Sequence, residues 1–179
     1  GQPRGQKPGC GFAVPQVIGL FDAFTGVALQ VLGCPLYTRE LRVLWALHPL
    51  MQAGDLLLGD RGLCSWVHLA LLAGRGCHGC FRLHQRQRVR FDGRSRGRHA
   101  NSRRISRLGR DDQLACWLKP KQRPDWISKQ QYAQLPDQLV VRETRYRLVR
   151  PGYRTRWIYL VSTLLDPVAY PQAELARLY

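Results

Sequence analysis

Residues 54–64, Gly-Asp-Leu-Leu-Leu-Gly-Asp-Arg-Gly-Leu-Cys, constrain the fold more than any other stretch of the chain. Three consecutive leucines after Asp55 predict a short strand buried on both faces, of the kind found at the centre of an α/β sheet. Gly59 and Gly62 bracket Asp60-Arg61 where that strand runs out. Ser65 is placed to cap a helix whose apolar positions are Trp66, Val67, Leu69, Ala70, Leu71 and Leu72. A carboxylate at the carboxyl end of a buried strand, beside small residues that admit a large ligand, sits where open α/β sheets keep their chemistry. Asp60 is therefore the first candidate site residue; the competing reading is an aspartate that merely caps a turn.

Before this stretch, Phe12–Phe21 and Val27–Leu32 predict a hairpin around a turn at Asp22–Gly26, with Pro15 and Gly19 suggesting an edge or a bulge. Thr38 is expected to cap a helix running from Arg39 to about Gln52, apolar at Leu41, Leu44, Trp45 and Leu47, which Pro49 should kink or shorten. After it, Gly74-Arg75-Gly76 closes the unit and Cys77–His84 reads as another strand, so the order is β-β-α-β-α-β. Gln85 to Arg110 then carries ten arginines and hardly any large apolar residues, which predicts a solvated loop or an arm facing nucleic acid. From Gln113 the pattern becomes β-like, in LACWLKP, LVVRETRYRLV and YRTRWIYLVSTLL. Alternation at Val141, Glu143, Arg145 and Arg147, and at Arg154 and Arg156, predicts one apolar and one basic face, with Glu143 paired to neighbouring arginines. Pro171 to Glu174 reads as a first helical turn, proline at its start and an acid at the positive end of the dipole.

With 28 Lys plus Arg against 12 Asp plus Glu, the net charge is +16, and arginine supplies almost all of the excess. Arginine grips phosphate with a planar fork of donors, so a polyanion, nucleic acid before an acidic membrane surface, is the implied partner. A hydrophobic share of 45% in 179 residues is that of a globular domain with a real core, not of a disordered tail. The longest apolar run, Trp66 to Ala73, is too short to span a bilayer. The cysteines at 10, 34, 64, 77, 80 and 116 are scattered in a chain without a secretory signature, which favours free thiols over a disulfide framework. Cys77-His-Gly-Cys80 has the spacing of half a zinc site, but four ligands are needed, and on a strand positions i and i+3 point to opposite faces. No cysteine has the histidine and acid around it that a nucleophile requires.

Six passages in order, QKPGCGF, GDLLLGDRGLCS, FRLHQRQRV, WLKPKQRP, LVVRETRYRLVRPGYRTR and VSTLLDPVAYPQAELARLY, cover nearly the whole chain. Together they resemble the DDE transposases of bacterial insertion sequences, in the insertion sequence four family. The resemblance implies an α/β fold similar to ribonuclease H, a mixed sheet flanked by helices with a largely β insertion. It divides the chain into a catalytic core over 1–84, a basic β insertion over 85–165, and the start of the last catalytic helix over 166–179.

In that family three carboxylates hold two divalent cations, Mg²⁺ or Mn²⁺, and the second Asp falls on Asp60. The first acid is expected upstream of Gly1. The third belongs to a motif of Tyr, two residues, Arg, three residues, Glu, six residues, Lys, whose opening residue matches Tyr179, so residues are expected downstream as well. Neither Glu174, Glu143 nor Asp55 stands where the missing acids belong, and this chain alone is expected to be inactive. Candidate DNA contacts are Arg61, Lys119, Lys121, Arg123, Arg154, Arg156 and Tyr179. Trp117, Trp126 and Trp157 are equal candidates for an aromatic on which a flipped base stacks. The implied activity is metal-dependent phosphodiester cleavage and strand transfer at the ends of an insertion sequence, with double-stranded DNA as partner, a homodimer in the synaptic complex, and the bacterial cytoplasm (nucleoid) as location. The alternative is a non-catalytic DNA-binding remnant of a decayed or domesticated transposase; open or interrupted reading frames in the flanking genomic DNA separate the two.

The charge predicts DNA binding with steep salt dependence and little sequence preference. Neutralising about six phosphates should lower affinity roughly 10³-fold between 50 and 200 mM salt. A titration by fluorescence anisotropy checks this, and a flat response contradicts it.

Overall fold

The computed structural model describes residues 14–83, 89–91, 102–149 and 156–178. The chain forms two compact units, one running to Met51 and one beginning at Gln52.

In the first unit, β1 (Pro15–Phe21) and β2 (Ala28–Pro35) form an antiparallel hairpin. Its turn is built by Asp22, whose Oδ1 accepts from the Thr25 amide at 2.7 Å and from the Phe24 amide at 3.1 Å. Gly26 follows at φ +72°, a conformation that favours glycine. Helix α1 (Glu40–Leu47) buries Val43, Leu44 and Leu47. Its N-cap is Arg39, without a side-chain cap, rather than the expected Thr38. Pro49 does shorten it: the chain tightens into a 3₁₀ turn over His48–Leu50.

The second unit is a six-stranded mixed sheet with few helices. Its strands are β3 (Leu56–Gly59), β4 (His78–Arg82), β5 (Ser102–Gly109), β6 (Asp112–Leu118), β7 (Gln138–Leu148) and β8 (Arg156–Ser162), in the order β3-β4-β8-β7-β6-β5. Helix α2 (Trp66–Gly74) makes the crossover between the parallel pair β3 and β4; every other pairing is antiparallel. The ββαβαβ order therefore holds, and β4 from the 1–84 portion pairs directly with β8 from the 85–165 portion.

Register defines two faces, because cross-strand partners share one. Leu58, Cys80, Ser162, Arg142 and Leu114 form one row; Gly59, Phe81, Val161, Glu143 and Gln113 form the adjacent row on the opposite face. Helix α2 covers the Phe81 face. Gly79 permits its approach, since a Cβ there would lie 2.8 Å from the Leu69 side chain. The Trp66 indole N–H donates to the Trp117 carbonyl at 3.0 Å. Ser65 caps α2 as expected, accepting from the His68 amide. The Cys80 face is covered by the C-terminal segment, where helix α4 (Gln172–Arg177) inserts Leu175 among Cys80, Ile158, Leu160 and Leu164.

Four expectations require correction. Among the described strands β3 is an edge strand rather than a central one, so Leu57 is buried while Leu56 and Leu58 are half-buried. Part of the arginine-rich stretch is β5, a strand that closes a hairpin on β6 and leaves Arg103, Arg104 and Arg107 exposed. The stretch between β6 and β7 contains helix α3 (Lys129–Gln134), started by a reciprocal capping box between Ser128 and Gln131. Among the described residues Glu143 pairs with no arginine: it is buried, and it accepts from Trp117 Nε1 at 2.7 Å, Gln113 Nε2 at 2.8 Å and Ser102 Oγ at 3.2 Å.

The neighbouring Arg142 is the buried cation of the sheet. It is 0% exposed and grips Asp112 through two bonds, Nε to Oδ1 at 2.9 Å and Nη2 to Oδ2 at 2.5 Å. Asp112→Ala would strand that charge and should lower stability by about 3–5 kcal/mol. The loss should appear as a reduced urea midpoint at unchanged slope. Joining Asp112→Leu to Arg142→Met should recover most of it.

Candidate functional site

Asp60 follows the last residue of β3, in a turn closed by the Leu63 amide donating to the Asp60 carbonyl at 2.9 Å. Gly59 has to be small, since a Cβ there would lie 2.6 Å from the Phe81 ring. The Asp60 side chain is 64% exposed, and two arginines flank it: Arg61 Nε lies 3.9 Å from Oδ2 and Arg82 Nη1 lies 3.9 Å from Oδ1. Both separations exceed hydrogen-bond length, so attraction across a partly screened gap holds the group together. Tyr146 adjoins it on the same sheet face; burial raises its phenol above the usual tyrosine range, and Arg82 pulls it back.

The structure brings Arg61 to Asp60 and adds Arg82, which the sequence reading did not single out. The signal was available in register: β3 and β4 pair in parallel with Leu56 opposite His78, and the same offset sets Asp60 opposite Arg82. Lys119, Lys121 and Arg123 follow β6 at the opposite end of the sheet. Lys119 Nζ donates to the Leu135 carbonyl at 2.7 Å and lies over the Tyr132 ring, while Arg123 donates to the carbonyls of Pro124 and Ile127. These two therefore brace the loop around α3, and Lys121 is exposed beside them. Arg156 opens β8 with its backbone paired to Leu148, at the Asp60 end of the sheet. Arg154 and Tyr179 lie outside the described residues.

The three tryptophans separate cleanly. Trp117 is buried and bonded to Glu143, and Trp126 is buried with its ring stacked on His68 at 4.7 Å. Trp157 is 45% exposed, with the Arg145 guanidinium 4.4 Å from its ring centre and Phe91 5.1 Å from the same guanidinium. Arg145 is oriented by Asp111, Nε to Oδ1 at 2.8 Å. This group lies at the same end of the sheet as Asp60 but on the opposite face, the one that carries Phe81 and Val161.

Among the described residues no group of three or more His, Cys, Asp or Glu is gathered as a metal site. Asp55, the nearest acid in sequence, precedes β3 and accepts from the Gln52 amide at 2.8 Å. Glu174 is exposed on α4 and paired to Arg177 at 3.0 Å. The described cysteines are free thiols, and among the described residues no helix is long and apolar enough to cross a membrane. Comparison with protein-family models, with curated proteins and with solved structures gives no match for this chain.

Two thiols border this region, and burial pushes both Cys64 and Cys80 up to about 12; Ser162 and Arg142 draw Cys80 only part of the way back. A raised thiol stays neutral until pH nears its pKa, so at pH 8 roughly one Cys80 in 10⁴ is thiolate. Titration of the folded protein with an aromatic disulfide reagent at pH 8 should leave Cys80 unmodified while Cys34 and Cys116 react. Rapid labelling of Cys80 would contradict its burial.

Proposed function

We propose that this chain acts on DNA, as the catalytic-core and insertion portion of a ribonuclease H-like insertion-sequence transposase with Asp60 as one of its metal-binding carboxylates. The observation that supports this reading most is the exposed carboxylate at the carboxyl end of β3 with two guanidiniums turned toward it. A developing phosphate charge needs such cations, and a strand-end turn presents them to a large ligand. In the complete family site, Mg²⁺ or Mn²⁺ would supply Lewis-acid activation of the phosphodiester.

The described residues alone do not fit a two-cation site. Asp60 offers at most two oxygens, where Mg²⁺ takes near-octahedral oxygen ligation, and its charged neighbours are themselves cations. What this chain's own residues do is bind and orient phosphate. Arg61 and Arg82 meet it beside Asp60. Trp157, backed by Arg145, presents an exposed aromatic face to which a base could stack.

The arginines around Asp60 also favour a second reading, the non-catalytic DNA-binding remnant, in which Asp60 serves only as their counter-charge. An assay on duplex DNA with Mn²⁺ separates binding from cleavage. The 179-residue chain should retard duplex DNA at 50 mM salt without nicking it. Nicking that disappears in Asp60→Asn would make the chain a sufficient nuclease. Absence of retardation at 50 mM salt would overturn both DNA readings.

A further inference from the structure

The geometry around Asp60 points to a phosphate clamp: we propose that Arg61 and Arg82 are its two jaws, and that Asp60 is an internal counter-ion which an incoming phosphodiester displaces. This deepens the second of the two DNA readings, in which Asp60 is the counter-charge of its arginines, and it rests on DNA binding for its natural ligand.

The two guanidiniums come from different elements, Arg61 from the turn after β3 and Arg82 from the last position of β4. Each addresses a different oxygen of the same carboxylate, Arg61 toward Oδ2 and Arg82 toward Oδ1. A phosphodiester presents two non-bridging oxygens, so it can meet the same pair of jaws in the same one-oxygen-per-arginine arrangement. Side-chain exposure is 33% for Arg61 and 28% for Arg82 against 64% for Asp60. The cations are thus partly desolvated, while the anion between them remains largely in water and can swing away at little cost.

Two cations on one anion leave the cluster net positive. The 3.9 Å separations make neither contact a formed hydrogen bond, so displacement breaks none. A charge-assisted bond from arginine to phosphate, at the usual 2.7–2.9 Å or so, is stronger than the loose pair it replaces. Register holds the lower jaw in place: Arg82 pairs through its backbone with Leu160 on β8, in the interior of the sheet, so it does not drift from Asp60. The arrangement differs from the buried Arg142–Asp112 pair, which is bonded at both oxygens and out of reach of any ligand.

A double-mutant cycle in metal-free buffer tests the clamp, using fluorescence anisotropy with a 20-base-pair duplex at 100 mM salt. Asp55→Asn serves as the control, because it removes the same charge from an exposed aspartate that, among the described residues, pairs with no arginine. Asp60→Asn should tighten binding about fivefold or more, and Asp55→Asn less than about twofold. Arg61→Gln with Arg82→Gln should weaken binding about tenfold and lower the salt slope by between one and two. In that background the gain from Asp60→Asn should vanish. Circular dichroism of each variant confirms that these exposed or half-exposed changes leave the fold intact.

Equal gains from Asp60→Asn and Asp55→Asn, or a gain that survives without the arginines, would overturn the clamp while leaving the DNA reading in place. If no variant binds duplex, the DNA reading fails, and the same cycle against inorganic pyrophosphate decides the clamp: coupling between Asp60 and the arginines supports it, and its absence overturns it.

Discussion

The buried pair of Arg142 and Asp112 is the constraint on which the second unit depends. A guanidinium at 0% exposure would be costly alone, so its neutralising acid must come from the next strand. Asp112 opens β6 and provides it. The remaining donor, Nη1, reaches the carbonyls of Tyr170 at 2.5 Å and Asp166 at 3.4 Å, which ties the C-terminal segment to the sheet. That tie positions Leu175 over Cys80 and Leu160 and so creates the second apolar layer. The acid just before it, Asp111, takes Arg145 on the opposite face of β7, so one β5–β6 turn serves arginines on both sides of the sheet.

Three carboxylates on this unit show how environment decides what an acid does. Asp112 is buried and fully bonded to arginine. Glu143 is equally buried but satisfied by the neutral donors Trp117, Gln113 and Ser102, which fixes the pleat between β5, β6 and β7. Asp60 is exposed and only loosely attended by its arginines. The first two hold structure, because removing any partner leaves an unmet charge or donor in a dry interior. The third makes no such bonds, which is why the proposed clamp assigns it a displaceable place between its two arginines.

The same contrast bears on the basic surface. Of 28 basic residues, several are engaged with the protein itself: Arg142 and Arg145 with acids, Lys119 and Arg123 with loop carbonyls. Net charge therefore overstates the number of cations offered to a polyanion. At the Asp60 end of the sheet, Arg61 and Arg82 make only the loose 3.9 Å pairs with Asp60, and they are the cations on which the proposed clamp relies.

The elements legible in the amino-acid order were those specified by local chemistry. Ser65 before an apolar helix, Pro49 within one, the Asp22–Gly26 turn, and the β-branched and aromatic runs of β7 and β8 each act over a few residues, and each appears where its chemistry requires. Strand β5 was concealed because its arginine-rich residues make a strand only through pairing with β6, and helix α3 because six residues carry too little periodicity. Which side of β7 was buried could not be read from alternation either. Arg142 and Glu143 lie inside on opposite faces because partners 30 residues away in sequence satisfy them. Asp60 itself was marked by its place after three leucines. Arg82 joined it only through parallel register, a long-range relation that the chain adopts when backbone hydrogen bonds across the sheet set which residues stand side by side.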